Sequence, residues 1–458
     1  METKDIEEKK CNWAEEEFRG VDFGDVRLKK RVILLADSLS NYPLSPINQA
    51  SEDSASTKAA YRFFGNGKVD SSKIMSGHIR QTVSRAREES VILAIQDTSY
   101  LNYSKHKKTT GLGSIGSEGV DGLIMHSTLA CTTQGLPLGL LTHKCWGRDG
   151  LISDKMSRKE ADSRPFCKKE SYKWFDSVNE ISKLNLGIEK VVHIADRESD
   201  IYEFLRESHR INAHYVIRAN HDRKVILDTS CTINEAIESS PVRAILETKV
   251  PNNKAPVILE CRFIKTAISE PLRIKSCERE PLESWIIRIT QTNAKAGEEP
   301  LEWTLLTNIP IKTIEDAIEK IQWYKLRWRI EEFHKILKSG CKIEECRLQS
   351  AEKLKRFIAL FSIIAWRIFW MTHLGRINPQ ADATVILTKN EIQTLRTLKK
   401  FKDKLVKVKK LTVKKAITFI AMLGGYLNRK NDPPPGNTVL WRGWQRLSAM
   451  TEMYESMI

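Results

Sequence analysis

The sequence predicts a mixed α/β fold with helical segments at both ends, and three observations carry that reading. Two short apolar runs, Val91 to Ile95 (VILAI) and Lys190 to Ala195 (KVVHIA), have the unbroken hydrophobicity of strands buried on both faces. Each leads directly to an aspartate, Asp97 or Asp196. Across residues 222–310 the pattern becomes alternating, as in Val257, Leu259, Cys261, Phe263 and in Trp285, Ile287, Ile289, which is the period of a largely antiparallel insertion. Near residue 330 the period turns helical, with Leu326, Ile330, Phe333 and Leu337 recurring at i, i+4, i+7 and i+11.

A chain of 458 residues exceeds one simple core, so about two to four domains are expected. The divisions fall at 1–70, 71–375 (with 222–310 inserted) and 376–458. Lys+Arg number 74 against 58 Asp+Glu, a formal net charge of +16, which suits a polyanionic partner such as nucleic acid; an anionic membrane surface is the other class. The start METKDIEEKK is charged and lacks the apolar stretch of a signal peptide, which predicts a cytosolic protein. The longest apolar segment, Phe357 to Leu374, contains Arg367 and His373 and reads as a buried helix, not a membrane span. Nine scattered cysteines without a C-x-x-C pair predict reduced thiols, and Cys341 and Cys346 near His334 lack the second ligand pair of a zinc site.

The first 70 residues read as a helical module with apolar positions at Trp13, Phe18, Leu28, Val32, Leu35 and Leu39. Asp53 or Ser54 can cap a helix through Ala59, Tyr61 and Phe64, and Gly65 and Asn66 suit its end. Arg27, Lys30, Arg31, Lys58 and Arg62 either touch DNA phosphates or form a solvated charged face. Ile124 to Thr132 and Leu136 to Leu141 look like a hairpin, followed by a charged region from Arg148 to Lys169 and a helix over residues 170–184. Beyond the strand at Lys190 come a short helix from Ile201 to Leu205 and a strand from His214 to Arg218. Strand Trp303 to Leu306 closes the insertion, Leu354 to Leu374 forms a second buried helix, and residues 396–415 are strongly basic and nucleic-acid-facing. Trp441 and Trp444 lie on a final helix.

On one helix Tyr324, Arg327, Glu331 and Lys338 fall within about 60° of one another, a single stripe that reads as an active-site wall. Glu332 is rotated about 100° off that stripe, so Glu331 is the carboxylate that counts. Asp97, Asp196 and Glu331 can converge to hold two divalent cations, since hard Mg²⁺ prefers carboxylate oxygen, and such a pair drives phosphodiester displacement. Glu198 and Asp200 are alternatives for the second carboxylate, although they follow the strand and read better as charges at a helix N-terminus.

These residues resemble a known family. Asp97 in AIQDTSYLNY, the DRESD run at 196–200 and the Y-x2-R-x3-E-x6-K signature within YKLRWRIEEFHK are similar to DDE transposases of insertion-sequence family four, especially the Tn-five type. The likeness runs from AAYRFF near residue 60 to LGGY near 425. It implies an RNase H-like catalytic core with a β-rich insertion, a helical N-terminal DNA-binding domain at 1–70, and dimerisation through the helical basic C-terminal region at 376–458. It further implies cut-and-paste transposition: nicking of the element end, hairpin formation, hairpin opening and strand transfer. In that scheme Asp97, Asp196 and Glu331 ligate two Mg²⁺ ions, with Mn²⁺ as a substitute, and Tyr324, Arg327 and Lys338 hold phosphates. Trp303 matches the tryptophan that stacks on a flipped base, its other reading being a core residue at a strand start, and Arg218 at a strand end reads as a phosphate contact. The implied partners are double-stranded DNA, as terminal inverted repeats and target, and a second copy of the chain in a synaptic homodimer, acting in the bacterial cytosol. The competing functions are a catalytically silent DNA-binding inhibitor of transposition and a metal-dependent nuclease that cleaves without joining.

Overall fold

The computed structural model describes residues 13–457 apart from 52, 117–118, 149–163, 249–255, 273, 275–279, 296 and 406–407. The opening METKDIEEKK and most of the charged region from Arg148 to Lys169 thus lie outside the described residues, as do the side chains of Lys402, Lys404 and Lys407.

Helices α1 (Trp13–Glu17), α2 (Val26–Asn41), α3 (Ile47–Ala50), α4 (Ser54–Gly65) and α5 (Ser71–Ala86) open the chain. Asp25, Asp53 and Asp70 cap α2, α4 and α5, each accepting a backbone N–H of the first turn, so Asp53 and not Ser54 starts α4. Val32, Leu35, Leu39, Phe63 and Phe64 turn inward from these helices into the main core. A buried latch fastens α1 to α5. Glu17 accepts from His78 Nδ1 on α5 at 2.5 Å and from both terminal nitrogens of Arg85 at 3.0 Å. His78 Nε2 in turn accepts the Leu140 N–H at 2.9 Å, which fixes the ring as the neutral Nδ1–H tautomer.

The centre is a sheet containing β1 (Val91–Asn102), β2 (Gly113–Ser114), β3 (Asp121–Thr132), β4 (Pro137–Trp146), β5 (Lys190–Ala195) and β6 (His214–Arg218), with α6 (Tyr172–Ser182) and α7 (Tyr202–Arg210) between strands. β1 runs parallel to β5 and β5 to β6, while β3 pairs antiparallel with β1 and β4. The hairpin expected at residues 124–141 forms, with its second strand extended to Trp146. The insertion supplies β7 (Lys224–Ile226), β8 (Ser230–Thr232), helix α8 (Ile233–Ser239), β9 (Ala244–Thr248), β10 (Val257–Ile268), β11 (Leu282–Gln291) and β12 (Glu302–Thr307). Because β12 pairs antiparallel with β6, these strands prolong the core sheet. The two faces are distinct: Leu93, Ile95, Val192 and Ile194 enter the main core, whereas Ile92 and Ala94 pack on the reverse side with Ala86 and Ile181.

The single helix expected from Tyr324 to Lys338 is replaced by three pieces: α9 (Ile314–Lys325), α10 (Trp328–Lys335) and a π-helical turn at Ile336–Gly340. Tyr324 lies in the last turn of α9, Arg327 at the break and Lys338 in the π turn, so the four side chains do not share one helical stripe. Packing overrides the local period. Tyr324 is held by an edge contact with Trp303 while Ile330, Phe333 and Leu337 are buried in the core, and the chain breaks between these two attachments. At Gly340 a side chain would collide with the Trp441 ring, which ends the segment there. Leu326, expected on the buried side, is only half-buried.

Helix α11 (Ala351–Ile377) is long and apolar enough to cross a membrane by length and composition, but 89% of its most apolar window is buried inside the fold. Its Arg367 guanidinium is sandwiched between the rings of Trp13 and Trp444, at 4.7 and 4.9 Å from their centres. The remaining helices are α12 (Lys389–Thr397), α13 (Lys399–Leu405), α14 (Val413–Leu423) and α15 (Asn437–Glu455). The basic stretch 396–415 is partly structural: Phe401, Leu405 and Leu411 are buried, Lys400 Nζ donates to the Met422 carbonyl and Lys410 pairs with Asp382. α14 and α15 meet where Gly443 faces the Ile420 carbonyl and Gly424 the Val439 carbonyl. Backbone cannot yield as a flexible side chain does, so Gly443→Ala will destabilise this pair by about 1–3 kcal/mol. Gly67→Ala, in a turn with open space around it, will melt like the parent in a calorimetric scan.

Candidate active site

Parallel pairing sets the two aspartates side by side. The last paired residues of β1 and β5 are Ile95 and Ile194, and two residues further along each chain come Asp97 and Asp196. The strand period of two puts both carboxylates on the face of Ile95 and Ile194, which is the face that buries Ile330 and Phe333 of α10. Glu331 projects from that helix.

The electrostatics match the placement. Burial, and after it the charges of Asp196 and Glu331, push Asp97 up to about 7, against the Thr98 N–H bonded to its Oδ1 at 2.8 Å and the charge of Arg327. Burial and Glu198 raise Asp196 as well, opposed by the Glu198 N–H on its Oδ1 and by Arg327 and Lys173. Arg327 Nη2 donates to Glu331 Oε1 at 2.5 Å, and although burial alone lowers Arg327, Glu331, Tyr324 and Asp97 lift it above its ordinary value. The Arg327 guanidinium thus bonds Glu331 and opposes the charge of both aspartates.

Around this centre the structure assembles Tyr324, Trp303 and Arg218. The Trp303 and Tyr324 rings meet edge to face at 5.2 Å, and Arg218 Nη2 donates to the Glu302 carbonyl at 2.9 Å. Burial, then the charges of Arg197 and Arg327, depress Arg218, as expected where cations cluster around a place for anions. Lys338 Nζ reaches the carbonyl of Tyr100, three residues beyond Asp97 on β1, at 2.8 Å, and lies 3.7 Å from Glu344. Arg27, Lys30, Arg31 and Arg62 are not brought to the carboxylates. They sit on α2 and α4, where Arg27 pairs with Asp25 and Lys30 and Arg62 are exposed.

The alternatives for the second carboxylate are otherwise engaged. Asp200 is fully buried and accepts from the Asn220 and His221 N–H groups and from Arg223, which ties the strand end to the start of the insertion. Glu198 pairs with the buried Lys173 at 3.2 Å. Glu332 pairs instead with Arg329 at 2.7 Å and lies 3.6 Å from His373.

Sequence reasoning passed over two residues here. Trp328 is 57% exposed, with the Arg327 guanidinium 5.0 Å from its ring centre; a tryptophan inside the Y-x2-R-x3-E-x6-K run is the signal that marks it. His334 lies one turn beyond Glu331, its Nδ1 3.9 Å from Asp97 Oδ2. Away from the carboxylates, a groove of about 970 Å³ between α3, α4 and the core is lined by Tyr61, Lys105, Lys107, Lys108, Lys342 and Arg347 among others.

Known families account for most of this arrangement. The model of the transposase DNA-binding domain matches residues 10–69, that of the transposase DDE domain residues 174–367, and that of the transposase Tn5 dimerisation domain residues 363–455. The chain belongs to the Tn5-like DDE transposases. The DDE match spans β5, the insertion and α10, and hence Asp196 and Glu331; it implies the RNase H-like core whose mixed sheet is seen here. The transposase binds DNA through its N-terminal helices and forms homodimers through its C-terminal region.

Divalent ions go with DDE chemistry, and the donor set fits them: hard carboxylate oxygens whose mutual repulsion a cation relieves. Among the described residues no three His, Cys, Asp or Glu side chains are drawn close enough to enclose an ion, and one oxygen of Glu331, Oε1, accepts from Arg327.

Proposed function

We propose that this transposase moves an insertion sequence by cut-and-paste, cleaving the element ends, passing through a hairpin and joining the 3′ ends to target DNA. The observation that carries the reading is the in-register pair Asp97 and Asp196 on the sheet face against which α10 presents Glu331. Asp97, Asp196 and Glu331 would hold two Mg²⁺ ions, with Mn²⁺ as a substitute, and the bound ions supply activation of the attacking oxygen and charge neutralisation at the leaving one. The chain's own groups do the rest. Arg327, Arg218 and Lys338 hold phosphates, Tyr324 packs against Trp303, and the Trp303 ring stacks on a base drawn from the duplex.

The domain division follows the same logic. Residues 1–70 carry DNA binding, 71–375 the catalytic core with 222–310 inserted, and 376–458 dimerisation, in a synaptic complex formed on terminal inverted repeats in the cytosol. Arg27, Lys30, Arg31 and Arg62 contact phosphates of the element end. Replacing exposed Arg62 by alanine will weaken end binding across sequences alike and reduce the salt slope by about one, read from gel-shift affinities at several salt concentrations.

The deciding experiment is incubation of purified protein with Mg²⁺ and a plasmid carrying the native flanking ends. Excised fragment with hairpin ends supports the full reading. Bound but uncut DNA supports the inhibitor, and cleavage without joining supports the nuclease.

A further inference from the structure

Across β5, β1, β3 and β4, Asp196, Asp97, Ser127 and His143 form one row on the catalytic face, since Asp97 pairs with Ser127 and Ser127 with His143. His334 descends onto this row from α10. Its ring is 6% exposed, its Nδ1 is 3.9 Å from Asp97 Oδ2, and its Nε2 has no hydrogen-bond partner. The other oxygen of Asp97 is already taken by the Thr98 N–H, so Oδ2 faces the imidazole.

We propose that His334 is a positioning residue of the carboxylate site: its Nδ1–H is turned to Oδ2 of Asp97 across 3.9 Å, longer than a hydrogen bond, and closes on that oxygen when the carboxylate takes up an ion beside Asp196. The proposal rests on the reading of Asp97 and Asp196 as ion ligands. A neutral imidazole carries one proton, and on Nδ1 it meets an acceptor, whereas on Nε2 it is a buried donor with none. Placement on α10 has a further consequence: His334 and Glu331 move together, so the helix that delivers one carboxylate also orients another. A ligand oxygen held in this way loses less freedom on binding an ion.

The test is calorimetric titration of the full-length protein with Mn²⁺ in the absence of DNA. His334→Leu, which removes the donor, is expected to weaken Mn²⁺ binding about 10–100-fold. His334→Asn, whose amide nitrogen falls near the Nδ1 position, will stay within about threefold of the parent, while His334→Gln, with its donor near Nε2, will behave as leucine does. Equal affinities for the leucine and asparagine variants, or no loss in either, overturn the proposal. If the leucine variant does not fold, the asparagine and glutamine variants decide by the same comparison. Asp97→Asn is measured alongside: unchanged Mn²⁺ binding there overturns the ligand reading itself, whereas weakened binding with no separation among the His334 variants overturns only the role of His334.

Discussion

Glu331→Gln will bind its DNA ends with wild-type affinity and lose cleavage by about a thousandfold or more, since removing an ionic contribution of about 4 kcal/mol to the transition state has that effect. The substitution keeps the shape of α10 and the buried Ile330 and Phe333 that hold it. It also keeps a hydrogen-bond acceptor for Arg327, so the wall of the cleft stays assembled. What disappears is the negative charge. The readout is a gel assay of excised fragment against a gel shift on the same ends. Undiminished cutting removes Glu331 from the site, and lost binding moves its role from chemistry to DNA recognition. Glu332→Gln is the internal control, because that side chain is paired with Arg329 on the other side of the helix, and it should cut.

Glu17→Ala will cost about 3–5 kcal/mol and loosen the N-terminal helices from the core, because it leaves the Arg85 charge without its buried partner and His78 without an acceptor. Acid should act in the same direction on the parent. Burial raises Glu17, but His78 and Arg85 outweigh it and hold its carboxyl below the ordinary 4.5; burial, first among its causes, holds His78 below its ordinary 6.5. Both folded pKa values are depressed, so the unfolded chain binds more protons. The stability is fully present above pH 6.5 and drains away as pH falls, with His78 acting first and Glu17 from about 4.5 downward. Melting temperatures from pH 8 to pH 4 measure this: the parent should lose stability below pH 6.5, and Glu17→Ala should start lower. A parent curve flat through that window refutes the latch.

The candidate site could be proposed from the sequence because each piece carries a local signal. VILAI and KVVHIA are buried strands by composition, an aspartate follows each, and the Y-x2-R-x3-E-x6-K spacing stands beside them. The break between α9 and α10 was not legible: nothing in YKLRWRIEEFHK contradicts one continuous helix, and only the anchoring of Tyr324 on Trp303 and of Phe333 in the core divides it. His334 was hidden for a similar reason. Its significance depends on Asp97, 237 positions away in sequence and 3.9 Å away in space.

Sequence alone determined the class of the fold and the strands that carry the candidate aspartates, because periodicity, capping and turn chemistry act over a few residues. Tertiary structure decided how those residues meet. Parallel register aligned Asp97 with Asp196, the join of β12 to β6 merged the insertion into the core sheet, and Glu17, Arg85 and Arg367 became internal ties instead of surface charges. These outcomes depend on the burial of charges and rings contributed by distant segments, and that energy exists only once the chain has closed on itself.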